Sequence, residues 1–238
     1  MRWFVRRGLR VLMYHKVSRD SEDEHTVSTS RLEQQLRWLR EEKFRFTTID
    51  AILRGGLPER PVLVTFDDAY VSTFEFARPI LRALNVPAVV FVPTAFIGRT
   101  SSWDRDARPL MDAAQLRTLA ENGFELALHS HRHDNYDRLT AAQCRADVLE
   151  SFSTLQQLGL TFALALAYPF GGRPRDINSR LAMQTALRRC GVQLAFRVGN
   201  RINQLPLAEP LEIQRLSIRG DETWGAFQRK ITWGKVFW

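Results

Sequence analysis

Short apolar segments alternate with amphipathic ones along nearly the whole chain. The apolar segments are rich in β-branched residues and predict buried strands, which cover residues 10–14, 61–66, 88–92, 124–128, 162–167, 193–198 and 212–218. Apolar positions at helical spacing predict helices over residues 73–84, 113–122, 140–158 and 178–190. A further helix is expected to begin at Ser30, with Glu33 three residues later completing a capping box.

Strands that alternate with helices predict an α/β fold with a mostly parallel sheet and the helices outside it. A chain of 238 residues with about seven such strands favours a closed or nearly closed βα barrel, and an open doubly wound sheet is the alternative. No internal repeat, low-complexity tract or linker divides the sequence. One domain over residues 1–238 is therefore expected.

The net charge of +8 and the pI of about 10.2 indicate a basic surface. Because the basic residues are dispersed, no nucleic acid partner is expected. The surface is expected to have no dedicated partner, and binding to an anionic membrane or an anionic glycan is the alternative. Arg6, Arg7 and Arg10 interrupt the apolar residues of the amino end, and the pattern does not predict a secretory signal or a transmembrane segment. A cytoplasmic protein is expected, with Trp3 and Phe4 suited to peripheral contact with a membrane.

Polar side chains directly follow three of the predicted strands. VLVTF leads into Asp67 and Asp68, FELAL leads into the segment from His129 to His133, and residue 167 leads into a Tyr-Pro-Phe-Gly turn. Because the carboxyl ends of the strands form the active-site face of a βα barrel, these side chains are expected to meet there. Each motif alone also has an ordinary interpretation, since carboxylates cap helices and isolated histidines are mostly surface or core residues.

The histidines favour a metal site, because three of the five in the chain fall within residues 129–133. His129 and His133 can hold one divalent ion together with one carboxylate, whereas His131 between them is expected to point elsewhere. Zn²⁺ is the expected ion, with Co²⁺, Ni²⁺ or Fe²⁺ as alternatives. The other carboxylate would stay free as a base for a water molecule that the ion activates, which suits hydrolysis of an amide or ester.

The segments VTFDDAY, GFELALHSHRHDNYDRL and LAYPFGG resemble, in order and spacing, the polysaccharide deacetylases of the NodB-homology type. The resemblance extends from LMYHKVS to LEIQRLSI, and the YPFG-type third motif is similar to that of biofilm-glycan deacetylases. It implies a distorted βα barrel of about seven parallel strands. It also implies a metal-dependent hydrolase that removes acetyl groups, foremost N-acetyl groups, from a sugar, glycan or glycan precursor.

The resemblance also implies roles for individual residues. Asp67 matches the general base, and Asp68, His129 and His133 match the metal ligands. In the third motif, Tyr168 and Phe170 are implied to contribute to substrate and oxyanion binding, with Phe170 lining the groove and its backbone N–H facing the oxyanion.

Two positions depart from the pattern of the family. Many members have an arginine that pairs with the catalytic base where this chain has Ala167, and many have a histidine that acts as general acid near the segment containing Arg215. We therefore expect Arg215 to hold Asp67 ionised, with an ordinary structural arginine as the alternative. His15 is the remaining candidate for the general acid, and a structural histidine is its alternative.

These departures keep other functions open. A catalytically weak glycan-binding module on the same fold is one alternative, and a hydrolase of another amide is a second. The complete set of candidate ligands together with a free Asp67 favours the deacetylase.

Overall fold

Ten strands and seven α-helices alternate along residues 7–234, which are the residues that this computed structural model describes. The strands are β1 Arg10–Tyr14, β2 Lys16–Ser18, β3 Thr26–Ser28, β4 Arg45–Phe46, β5 Pro61–Phe66, β6 Val89–Val92, β7 Glu125–Leu128, β8 Ala165–Ala167, β9 Leu194–Val198 and β10 Ile213–Ser217. The helices are α1 Thr29–Glu41, α2 Ile49–Leu53, α3 Arg78–Ala83, α4 Ala113–Glu121, α5 Ala141–Gln157, α6 Ile177–Arg189 and α7 Trp224–Trp233.

Seven of the strands in this described range close into a parallel barrel. Around the ring the order is β1, β5, β6, β7, β8, β9 and β10, and β10 pairs with β1 to complete it. The short β4 adds to the start of β5, while β2 and β3 form a separate parallel pair. Pairing between β7 and β8 is reduced to Leu128 opposite Leu166, which makes this part of the ring irregular. The predicted α/β barrel of about seven parallel strands is thus confirmed.

Alternate residues of the strands fill the barrel interior, because successive side chains of a strand point to opposite faces. Val11, Leu63, Phe91, Ala127 and Phe196 belong to one buried apolar cluster inside the ring. Their neighbours in sequence belong to a second, larger cluster that includes residues of the surrounding helices. The packed interior forms a solid floor, so a polar site can lie only at an end of the barrel.

Several predicted bounds differ from the observed ones. The first helix begins at Thr29, and Ser28 is its cap because its hydroxyl accepts the N–H of Arg31, so the predicted start at Ser30 was wrong. The predicted strand at 162–167 is limited to β8, and the helix predicted over 73–84 is a π-helical turn, Thr73–Ala77, followed by α3. Helices α2 and α7 were not predicted.

No helix within the described range is both long enough and apolar enough to span a bilayer. The predicted membrane-contacting residues Trp3 and Phe4 lie outside the described residues.

Candidate active site

Strand hydrogen bonding continues past the strand ends and holds the two motifs that carry the predicted chemistry. The N–H of Asp67 donates to the carbonyl of Tyr14 at 2.9 Å, which extends the β1–β5 pairing by one residue. The N–H of His129 donates to the carbonyl of Val92 at 3.0 Å and extends the β6–β7 pairing in the same way. Both side chains therefore continue the inward-facing set of their strands and lie above the apolar floor of the barrel.

The chain then turns sharply with unusual backbone angles. Among the described residues, nine that are not glycine have positive φ, and five of these belong to the three site turns: Asp68 (70°), Ala69 (54°), Ser130 (65°), His133 (58°) and Phe170 (59°). Such conformations are costly for side chains with a Cβ and concentrate at functional sites, where the surrounding structure holds them. Three of these residues, Asp68, His133 and Phe170, line one cavity.

Asp68, His129 and His133 form a buried group that could hold a metal ion. Their candidate ligand atoms all lie within 4.8 Å of one another, and Asp68 Oδ1 is 3.3 Å from His129 Nε2 and 3.1 Å from His133 Nε2. His129 Nδ1 lies 2.8 Å from the carbonyl of Ala167, which can only accept, so this nitrogen carries a proton; in the neutral form of the ring, Nε2 then presents a lone pair. Within residues 7–234, Asp68 Oδ1 has no hydrogen-bond partner. A divalent ion bound between Asp68 Oδ1 and the two Nε2 atoms would satisfy this buried oxygen, so these residues fit a metal site.

The pKa values of Asp68 and His133 agree with this arrangement, whereas that of His129 shifts in the opposite direction. Burial raises the pKa of Asp68, but the His129 and His133 side chains outweigh burial and hold it well below its ordinary value. Burial lowers the pKa of His133, which favours the neutral ring that a metal ligand requires. Burial also lowers the pKa of His129, but the facing carboxylates of Asp67 and Asp68 outweigh it and raise the pKa overall.

Arg215 lies against Asp67 in a buried, two-pronged ion pair. Its Nη1 and Nη2 donate to Asp67 Oδ1 and Oδ2 at 2.5 and 2.7 Å, and both side chains are almost completely buried. Burial raises the pKa of Asp67, but the Arg215 charge, followed by His129 and His15, outweighs burial and lowers it. Asp67 is thereby held as a carboxylate next to the three candidate metal ligands, 3.8 Å from His129 Nε2.

The remaining predicted residues are divided between the cavity and the core. A cavity of about 330 Å³ opens above Asp67 and is lined by His15, Trp103 and Phe170 among others. His15 Nε2 is 3.9 Å from Asp67 Oδ2, and Phe170 is 64% exposed, with its ring edge-on to His133 at 4.8 Å. Tyr168 lies elsewhere: its side chain is fully buried and its hydroxyl donates to the carbonyl of Leu211, so it supports the turn and does not line the cavity.

Asp147 on α5 organises the histidine turn and was not identified from the sequence. Its buried carboxylate accepts the Ser130 hydroxyl at 2.8 Å, the His131 N–H at 2.8 Å and the Tyr136 hydroxyl at 2.5 Å. The sequence does contain an indication of its role: Asp147 lies on the apolar face of its helix beside Val148, where an acid without a partner would be costly. His131 points away from the ligand group, as expected, with Nδ1 2.8 Å from the Thr94 hydroxyl.

Fold and site together define a βα-barrel protein with a candidate metal centre at the carboxyl ends of its strands. The family model for polysaccharide deacetylases matches residues 54–194, which is more than half of the chain and includes both the Asp pair and the histidine turn. The chain belongs to the polysaccharide deacetylase family.

Individual relatives and solved structures agree with this assignment. The chain is 26% identical over 160 residues to the poly-β-1,6-N-acetyl-D-glucosamine N-deacetylase of Staphylococcus aureus strain MRSA252, which covers 62% of this chain and 54% of that protein. It thus spans about half the length of this curated relative. IcaB from Ammonifex degensii superposes with a TM-score of 0.78 at 24% identity, over 96% of this chain and 97% of that one. A de-N-acetylase from Aggregatibacter actinomycetemcomitans gives 0.77 at 19% identity, over 93% and 99%. These structures share the fold.

Proposed function

We propose that this chain is a metal-dependent deacetylase that hydrolyses N-acetyl groups on a sugar, glycan or glycan precursor. The observation that carries the proposal is the convergence of Asp68, His129 and His133 next to a separate carboxylate, Asp67, that Arg215 keeps ionised. The similarity to a poly-β-1,6-N-acetyl-D-glucosamine N-deacetylase supports an N-acetylated glycan as substrate.

In the proposed reaction, each group of the site has one task. Asp68, His129 and His133 would hold the ion, Zn²⁺ by the chemistry of its ligands, and when bound the ion supplies Lewis acidity toward an acetyl carbonyl. Asp67 accepts the proton of the attacking water, a role that requires the ionised carboxylate favoured by Arg215. The backbone N–H of Phe170 is proposed to donate to the oxyanion.

His15 is proposed to donate a proton to the leaving amine. It lies on the cavity wall with a partly exposed side chain and is 3.9 Å from Asp67. A group that lines the cavity beside the base can reach a leaving group bound there, which geometry requires of a general acid. Peripheral contact with an anionic membrane remains a prediction from the net charge of +8.

The test is acetate release from a panel of N-acetylated glycans and sugar precursors by the metal-loaded protein. Asp67→Asn is expected to lower kcat/KM by about 10²–10⁴-fold, because it removes the general base while retaining the size of the side chain. His129→Ala is expected to abolish turnover together with metal binding. His131→Gln is the matched control, because this histidine belongs to the same turn but faces Thr94, and it should retain activity.

Acetate release that persists in Asp67→Asn, or that is unaffected by a chelator, would contradict the proposal. Glycan binding without acetate release by the metal-loaded wild type would favour a binding module.

A further inference from the structure

Trp103 lies in a loop, residues 99–110, that folds over the metal-ligand group. The two sides of the loop are joined by the Ser101 N–H, which donates to the carbonyl of Arg108 at 2.8 Å. Its base is joined to the turn after the Asp pair, since the Met111 N–H donates to the carbonyl of Ala69 at 2.8 Å. These hydrogen bonds therefore fix the position of the loop relative to the Asp pair.

The indole of Trp103 contacts two of the three candidate ligands directly. Its ring stacks on His133 with 3.9 Å between the ring centroids and 20° between the planes. Its Nε1–H donates to Asp68 Oδ2 at 3.3 Å and to the Tyr70 hydroxyl at 3.2 Å. Phe96 packs edge-on against the indole at 5.0 Å and limits its movement.

The two ligand histidines are oriented in different ways. His129 is fixed by a hydrogen bond from Nδ1 to the carbonyl of Ala167, the usual means by which proteins orient a metal-ligating imidazole. His133 has no such partner, because its buried Nδ1 lacks any hydrogen bond in the part of the chain that the structure describes. Its ring orientation therefore depends on ring packing, with Trp103 stacked on it and the ring of Phe170 edge-on to it.

The same indole gives the two carboxylate oxygens of Asp68 different surroundings. Oδ2 receives the indole N–H, while Oδ1 faces Nε2 of His129 and His133 without a hydrogen bond from any described residue. Rotation of the carboxylate would break the Trp103 contact, so the contact keeps one oxygen available to an ion.

We propose that Trp103 is a positioning residue of the metal centre, which substitutes ring stacking for the missing hydrogen bond of His133 and aims one oxygen of Asp68 at the ion. This role rests on the proposed function, since it presumes that the group binds a metal. Trp103 also lines the cavity, so a loss of activity alone could reflect altered substrate contact. Metal affinity in the absence of substrate is the appropriate readout.

The test compares wild type, Trp103→Phe and Trp103→Ala, each prepared metal-free. Zn²⁺ dissociation constants are measured by competition with a chelator, and the visible spectrum of the Co²⁺ form reports the geometry of the ligands. Trp103→Ala, which removes stacking and N–H together, is expected to weaken Zn²⁺ binding by about 10–100-fold, the usual effect of removing a group that orients a ligand. Trp103→Phe keeps an aromatic face and should lose less affinity, and both should alter the Co²⁺ spectrum.

Trp224→Phe is the matched control, because Trp224 packs on Trp38 and Phe227 away from the site, and its metal affinity should equal that of wild type. Tight binding by wild type and Trp103→Ala alike, with unchanged Co²⁺ spectra, would overturn the role of Trp103 and leave the deacetylase proposal intact. Failure of wild type to bind Zn²⁺ or Co²⁺ would overturn the metal site and this role with it.

Discussion

The buried ion pair between Arg215 and Asp67 allows a quantitative test of the site. Both side chains are almost completely buried, and two hydrogen bonds of 2.5 and 2.7 Å join them. Removing one partner of such a pair leaves a charge without compensation in the protein interior and costs about 3–5 kcal/mol. Arg215→Met keeps most of the apolar volume and removes the charge, so we expect it to lower the free energy of unfolding by this amount.

A double-mutant cycle separates the pair from its surroundings. Asp67→Asn alone leaves the guanidinium unbalanced, whereas Asp67→Asn combined with Arg215→Met removes both charges. The combination should therefore cost less than the sum of the single changes, by a coupling energy at the upper end of the range of about 0.5–3 kcal/mol seen for residues in contact. Urea unfolding of the metal-free proteins at neutral pH measures each corner, since a bound metal would add its own stabilisation.

Arg219 provides the control for this cycle. It makes a similar ion pair with Asp221 at 2.7 Å, but both side chains are substantially exposed. Exposed pairs contribute about 0–1 kcal/mol, so Arg219→Met should change stability little. Additivity of the two single changes at the buried pair, or a cost for Arg215→Met no larger than for Arg219→Met, would refute the view that Arg215 compensates the charge of Asp67.

Three further outcomes are expected. Asp147→Asn should lower the free energy of unfolding by about 1–3 kcal/mol, because a carboxylate that accepts three hydrogen bonds becomes an amide with one acceptor oxygen. Asp137 is exposed, so Asp137→Asn is the control, and equal stability of the two variants would contradict the role of Asp147. His15→Gln should reduce kcat by about 10²–10⁴-fold with unchanged Zn²⁺ affinity if it is the general acid, and full turnover would exclude that role. Burial raises the pKa of the Cys144 thiol to about 12, so a thiol reagent at pH 8 should modify the less buried Cys190 first in the native protein and both cysteines after unfolding. Equal modification rates of the two cysteines in the native protein would contradict this expectation.

The barrel could be predicted because each of its strands is recognisable from a short segment of the sequence. Segments such as Pro61–Phe66 and Val89–Val92 are apolar on both faces and short, as strands inside a parallel barrel must be. The two-residue period then predicts which side chains enter the interior, and His129 follows Ala127 in the inward set. The sequence pattern favours Ser30 as the cap of the first helix, whereas Ser28 caps it in the structure. Both serines are good caps, and the choice between them depends on backbone angles outside the pattern.

The residues that support the candidate ligands were less predictable, because they reach the site through contacts distant in sequence. Trp103 is 35 positions from Asp68, in a polar loop that no periodicity describes. Asp147 is 17 positions from Ser130, and only its place on an apolar helix face indicates a buried role. Ligand residues carry a chemical signature in the sequence, whereas a supporting residue is defined by where the fold puts it.

Positions 167 and 215 are where the sequence resemblance implies that this chain departs from many members of the family. The resemblance to the family implies an arginine at the position of Ala167 in many members, yet here residue 167 contributes its carbonyl to His129 and has a small side chain within the apolar interior. The positive charge comes from β10, where Arg215 lies two residues after Ile213 and shares its inward direction. Strands around a closed ring all face the same central space, so a guanidinium from β10 can reach the carboxylate after β5 as well as one from β8 could. In this chain, the cation that pairs with Asp67 therefore comes from β10, and the small side chain at position 167 leaves the space that the guanidinium shares with the apolar interior.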